Sequence, residues 1–351
     1  MPGRPSKDVL EAFAELVLDG EKVAGVGEAM GLQAESVGRY LRWVKQEGLL
    51  PDDTRIFGGG FMHGNAPFKP SGMTVGMIGE DDLVRELCSR GYTVAKSNRV
   101  QEIHATLNVD DVMVGSWLHF GIVSDTQLGS KFQQLTALHR AYEVFRQEGI
   151  THVLHAGDVV DGQNVYPGHM FEIAVHGADA QSDYVIENYP CVPGIETWFI
   201  TGNHDEDHWK RAGVDVGRRI ARDRKDMHYL GLYGGTVSVG GIDIYLWHGS
   251  SGVAYARSYV LQTRIEQLSP EQKPHVLVAG HYHVQCYLPQ YRNVCGIMAP
   301  CFQAQTPYLK RKGLGPEVSF GILKIMPRDD GGIARVQWEL FPQFIPLEHD
   351  Y

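Results

Sequence analysis

Residues 151–162, THVLHAGDVVDG, constrain this chain more than any other stretch. The apolar run 151–156 reads as a buried strand. Gly157 lets the backbone turn sharply as it leaves the sheet, so Asp158 stands at the strand's carboxyl end and a second carboxylate, Asp161, in the turn beyond. Sheets of α/β proteins build their sites at that end of their strands. Four further strand-like runs finish in the same way. Run 117–124 leads into Asp125-Thr126-Gln127, and 198–201 into Gly202-Asn203-His204-Asp205. Run 242–247 leads into His248-Gly249, and 275–279 into Gly280-His281-Tyr282-His283. Strand ends that repeatedly deliver carboxylates, imidazoles and amides imply a single sheet edge built as a site.

Between these strands lie helical runs at 132–148, 213–224 and 253–267, and the chain closes with strand-like stretches at 319–326 and 334–341. That order predicts a large mixed sheet, or two packed sheets, with outer helices. A chain of 351 residues, 43% hydrophobic, can bury one large core and a small second domain.

The second domain is expected at residues 1–50, as helices over 8–18, 23–30 and 34–46. Val23, Val26, Met30, Leu32, Val37, Leu41 and Val44 would form its core, in the pattern of a helix-turn-helix. Arg39, Arg42 and Lys45 recur every three residues on the third helix, behind a Gly3-Arg4-Pro5 arm. This fits either a DNA contact or a solvated face, and the same fold also serves to hold a protein partner. Residues 51–73, rich in glycine and proline, read as a linker, and 81–90 as a capped helix stopped by Gly91. The expected division is therefore 1–50, a connecting segment at 51–115, and a catalytic domain at 116–351.

A net charge of −10 argues against a protein that coats nucleic acid without specificity. The cysteines, Cys88, Cys191, Cys286, Cys295 and Cys301, form no CxxC pair and are expected to be reduced and mostly buried. No apolar run approaches the roughly 20 residues of a membrane span, and MPGRPSKD lacks a signal peptide's apolar core. The expectation is a cytoplasmic protein with no membrane partner.

Taken in order, Asp125, Gln127, Asp158, Asn203, His204, His248, His281 and His283 resemble the calcineurin-like metallophosphoesterase superfamily. Its pattern is D-x-H, G-D-x-x-D, G-N-H-[DE], a lone histidine after a strand, and G-H-x-H. The resemblance runs from 117 to 341 and implies two packed mixed β-sheets flanked by helices. It also implies two divalent cations, manganese first, with magnesium, iron or zinc as alternatives. Asp125, Gln127, Asp158 and His283 would hold the first, and Asp158, Asn203, His248 and His281 the second, with Asp158 as the bridge. A shared water would attack phosphorus in line, and His204, oriented from behind by Asp205, would protonate the leaving oxygen. Asp161 would support the ligands.

The implied activity is metal-dependent hydrolysis of a phosphodiester. DNA is the first choice of substrate because of the N-terminal module. The alternatives are a phosphomonoester, a nucleotide phosphodiester, or a DNA-binding regulatory protein with a residual metal site. Gln127 departs from the pattern, because it stands where the family has histidine. An amide oxygen brings neither charge nor an imidazole nitrogen, so the first site should favour manganese or magnesium over zinc.

Other residues carry less weight. His155 reads as core, while His169, His176 and His208 are expected on loops near the site, within reach of substrate. Lys310-Arg311-Lys312 would lie at the rim as a solvated turn able to guide a polyanion, and Arg218, Arg219, Arg222 and Arg224 would form a solvated helix face.

Overall fold

A computed structural model describes residues 5–18, 23–32, 34–50, 55–57, 60–62, 102–250, 252, 254–329, 331–343 and 345–351. The expected helix at 81–90, most of the 51–73 linker and Cys88 fall outside these residues. Contacts divide the chain into Met1–Lys96 and Ser97–Tyr351.

The first unit holds helices α1 (Lys7–Leu18), α2 (Val23–Ala29) and α3 (Ala34–Gln46), then an antiparallel pair, β1 (Arg55–Phe57) and β2 (Gly60–Met62). Leu10, Phe13, Ala14 and Val17 recur at helical spacing on α1 and bury one face of it. They share a core with Val26, Val37, Leu41 and Val44, and Met30 and Leu32 pack at its edge. Arg39 and Arg42 are exposed, and Lys45 is half-buried.

The second unit opens with β3 (His104–Leu107), α4 (Val109–Val112), β4 (Met113–Val114), β5 (Trp117–Val123), α5 (Leu135–Gln147) and β6 (His152–His155). It continues through α6 (Ala178–Asn188), β7 (Glu196–Thr201), α7 (Asn203–Ala212), α8 (Val216–Asp223), β8 (Met227–Leu232), β9 (Gly234–Val239) and β10 (Ile242–His248). Then come α9 (Ser258–Gln267), β11 (Val276–Gly280), β12 (Cys286–Tyr291), β13 (Val294–Met298), α10 (Pro307–Lys312), β14 (Ser319–Pro327) and β15 (Ile333–Pro342). The sequence reading starts its large domain at residue 116. Before that point β3 pairs with β9, and β4 with β5.

Two mixed sheets result. One runs β15-β14-β5-β6-β7-β8, with β5 through β8 parallel, and the other runs β12-β13-β11-β10-β9-β3. Alternation along each strand sends side chains to opposite faces. Leu118, Phe120, Ile122 and Leu154 of the first sheet meet Val237, Ile244, Leu246 and Val278 of the second in the central layer. The outer face of the first sheet is covered by Leu138, Ala141, Tyr142 and Phe145 of α5, with Val185 of α6 and Ile220 of α8. Val260, Leu261 and Ile265 of α9 cover the second. The architecture is thus helices, sheet, sheet, helices. Phe145 is fully buried, and truncating such a side chain to alanine costs about 3–5 kcal/mol.

Several local expectations change. The run after β7 opens α7, so His208, expected on a loop, lies on a helix, buried, its Nε2 2.8 Å from Gln181 Oε1. Arg224 is not solvated. It is buried, donates to the carbonyls of Ile186 in the last turn of α6 and of Tyr189 and Pro190 just beyond it, and pairs with Asp226 at 2.6 Å. Arg219 pairs with Asp179 and Asp183. Lys310, Arg311 and Lys312 are exposed on the last turn of α10. Among the described cysteines all are free, with Cys295 and Cys301 buried and Cys191 exposed. No helix of the described residues is long and apolar enough to cross a membrane.

Candidate metal centre

The carboxyl ends of β5, β6, β7, β10 and β11 lie together. They bring Asp125, Gln127, Asp158, Asn203, His248, His281 and His283 to one place. Gly157 leaves β6 with φ 97°, a left-handed conformation open to glycine, and a Cβ there would stand 2.5 Å from His248 Nδ1. A Cβ on Gly202 would collide with Asp158 Oδ1 and His248.

Asp125, Gln127, Asp158 and His248 are buried, and Asp158, Asn203, His204, His281 and His283 line a cavity of about 270 Å³. Asp158 Oδ2 lies 3.2 Å from His248 Nε2, and Asp125 Oδ1 lies 3.3 Å from His283 Nε2. Asn203 Oδ1 sits between His281 Nδ1 at 2.8 Å and His248 Nε2 at 3.2 Å. Both carboxylates also take backbone N–H groups. His281 N–H donates to both Asp125 oxygens, and His204 N–H donates to Asp158 Oδ1 at 2.9 Å.

His248 shows that the residues fit a cation. Its Nδ1 lies 2.8 Å from the Ala156 carbonyl, which accepts its proton, so in the neutral ring the Nε2 lone pair is aimed at Asp158 and Asn203. Buried carboxylate oxygens, imidazole nitrogens and an amide oxygen, crowded to hydrogen-bond distances, are a donor set for a divalent metal. Asp158, His248 and His281 place one ligand atom each within 4.8 Å of one another. Burial opposes the charge on Asp158, yet His248, His204 and His281 around it hold its carboxyl well below the usual carboxylate range.

Backbone strain is concentrated here. Asp125, Gln127, Asp158, His281 and His283 have φ of 49°, 48°, 55°, 87° and 55°, all left-handed. Such conformations cost of order 1–3 kcal/mol each and collect where a site needs them.

Gln127 lies in the site but presents its Nε2 to Asp158 Oδ2 at 3.1 Å, while its Oε1 is buried without a partner. His204 is where the sequence places it, but its support is different. Asp205 turns away and accepts N–H bonds from Val159 and Val160 after β6 and from Gly202 at the start of α7. Burial and Asp158 push the Asp205 carboxyl up to about 7 against those donors. The residue behind His204 is Asp161, whose carbonyl accepts from Nδ1 at 2.6 Å and whose Oδ1 lies 3.5 Å away. Burial disfavours the charged His204 ring, but Asp158 and Asp161 outweigh it and raise its pKa to about 9.

His155 is core, its ring bonded to Thr126 Oγ1 and the Gly157 N–H. His169 is buried against Asp161, and His176 is exposed on its loop. Gln303, which donates to Asp161 Oδ1 at 3.2 Å, carries no motif that would have singled it out.

Two packed mixed sheets flanked by helices match the metallophosphoesterase class of fold. Residues 118–297 match the calcineurin-like phosphoesterase superfamily domain, and the chain belongs to that superfamily. The DNA polymerase II small subunit of Methanocaldococcus jannaschii is 23% identical over 302 residues, 69% of this chain and 48% of that protein. The protein of that name from Halobacterium salinarum is 26% identical over 207 residues, 49% of this chain and 40% of its own. The chain therefore spans about half the length of these relatives or less. A dimetal phosphatase from Danio rerio aligns over 64% of this chain and 98% of its own, at 12% identity and a TM-score of 0.36.

Proposed function

We propose that the chain is a metal-dependent phosphodiesterase acting on DNA. The observation that carries this reading is the convergence of Asp125, Asp158, Asn203, His248, His281 and His283 on one edge, with His204 beside them at the cavity. Asp158 would bridge two cations, manganese first, with Asp125 and His283 completing one site and Asn203, His248 and His281 the other. Bound cations would neutralise charge on the phosphoryl oxygens and activate the attacking water. The chain's own part is to seat the ester in the cavity and to hold a proton on His204 Nε2 for the leaving oxygen, its Nδ1 being tied to Asp161.

DNA is supported by the name of the relatives, by exposed Arg39 and Arg42 in residues 1–50, and by the basic end of α10. Tyr308 and Leu309 of α10 line the cavity, so Lys310, Arg311 and Lys312 stand at its rim. The test is hydrolysis of bis(p-nitrophenyl) phosphate by chelator-stripped protein with manganese restored, beside the monoester and labelled single- and double-stranded DNA. Asp158→Asn should abolish hydrolysis and lower metal content, since a neutral amide cannot bridge two cations as a carboxylate does. A variant that binds two equivalents and turns over normally refutes the assignment.

Gln127, which holds Asp158 by a hydrogen bond where the family has a ligand, favours a second reading: a DNA-binding regulatory protein with a residual site. DNA binding without hydrolysis of any substrate at saturating manganese would select it.

A further inference from the structure

His169 follows Gly168 in the loop after β6 and has no solvent exposure, so it cannot meet substrate. Its two ring nitrogens have different neighbours. Nδ1 accepts the Val165 N–H at 3.2 Å, which leaves the proton of the neutral ring on Nε2, and Nε2 faces Asp161 Oδ2 at 3.2 Å, a close contact not aligned as a hydrogen bond. Asp161 in turn takes Gln303 Nε2 on its other oxygen, and its carbonyl takes the His204 Nδ1 proton. The two imidazoles stand edge to face, centroids 5.4 Å apart, while Tyr166 covers His169 at 4.3 Å and is anchored by its hydroxyl to Glu172.

Asp161, His169 and His204 are close enough together to hold an ion. The proton positions decide against one: the Val165 N–H leaves the His169 proton on Nε2 and the Asp161 carbonyl takes the proton of His204 Nδ1, so the nitrogens facing Asp161 are donors rather than ligands.

We propose that His169 is a positioning residue for the hydrolysis: packed edge to face on His204 and 3.2 Å from Asp161 Oδ2, it holds Asp161 in place, and with it the carbonyl that sets the tautomer and ring orientation pointing His204 Nε2 at the leaving oxygen. This rests on the reading of His204 as proton donor. Removing such an orienting partner typically costs 10–100-fold. His169→Phe keeps the ring volume and removes both nitrogens. It should lower kcat by about that factor on phenyl phosphodiesters with poor leaving groups, leave KM and metal content unchanged, and cost far less on bis(p-nitrophenyl) phosphate. His169→Gln puts an amide N–H where Nε2 stands and should restore most of the rate, whereas His169→Asn, reaching only the Nδ1 position, should not.

Equal loss on good and poor leaving groups, loss of a metal equivalent, or no difference between glutamine and asparagine would each overturn the proposal. Should His169→Phe fail to fold, the glutamine and asparagine pair still decides it. His204→Ala separates the two layers of argument. If it loses nothing on poor leaving groups the donor reading fails. If it loses rate and His169→Phe does not, only the role of His169 fails.

Discussion

Gln127→His restores an imidazole where the superfamily pattern has one, and its effect on metal binding follows from what Gln127 does now. The amide Nε2 holds Asp158 Oδ2 at 3.1 Å, so a cation that needs that oxygen must displace or share the hydrogen bond. A hydrogen bond to a charged group contributes about 1.5–3 kcal/mol, so relieving it is worth about 10- to 150-fold in affinity. The new ring adds a ligand to that gain. No new backbone strain opposes it, because φ at 127 is 48° and histidine is among the residues that best tolerate the left-handed region. Isothermal titration of chelator-stripped parent and variant with manganese and with zinc gives the measurement. The parent should bind one equivalent distinctly more weakly than the other and be activated by added manganese. The variant should tighten the weak site at least tenfold, with the larger gain for zinc. Identical isotherms with two tight sites in both proteins would show that Gln127 neither blocks nor ligates, and the reasoning would be wrong.

His204→Ala should retain both metals and lose on the order of 10²–10⁴-fold in rate, with a smaller loss for good leaving groups; a uniform loss, read from an aryl ester series, counts against proton donation. Asp205→Ala should act on stability, because it strands the N–H groups of Val159, Val160 and Gly202. At about 1–3 kcal/mol for each buried donor left unpaired, the melting temperature should fall by several degrees or the chain should fail to fold. An unchanged melting temperature with lost activity would return Asp205 to the role the sequence suggested. Deleting residues 1–50 should leave cleavage of bis(p-nitrophenyl) phosphate intact while weakening duplex DNA binding and flattening its salt dependence. Unchanged DNA affinity sinks the proposed role of Arg39, Arg42 and Lys45.

The strand-end residues were legible because a strand's polar terminus after an apolar run is a local signal, and because Gly157 and Gly202 announce close approach of backbone to side chain. The third helix of the first unit was legible for the same reason, since the spacing of Val37, Leu41 and Val44 is contained in α3 itself. Partner choice was not. Asp205 and Asp161 are both carboxylates near His204 in any reading of the motifs. Only the path of the chain after β6 and into α7 decides that one meets amides and the other the imidazole. Gln303 and His169 reach Asp161 from 142 residues downstream and from a loop without periodicity, respectively, so no pattern in sequence connects them. The buried Arg224 failed for a related reason. Its helix periodicity looked solvated, but the carbonyls that it satisfies belong to the end of α6 and the segment after it.

The left-handed backbone at Asp125, Gln127, Asp158, His281 and His283 has a consequence for how this protein would change under selection. At about 1 kcal/mol or more apiece, these conformations together approach the lower end of a domain's whole net stability. Glycine at any of them would relax the chain while erasing a candidate ligand. A library screened only for heat resistance should therefore lose the site before it loses the fold, and its survivors should gather glycine at these positions. A screen run with manganese present should protect them, because a bound ion adds its own binding free energy to the folded state.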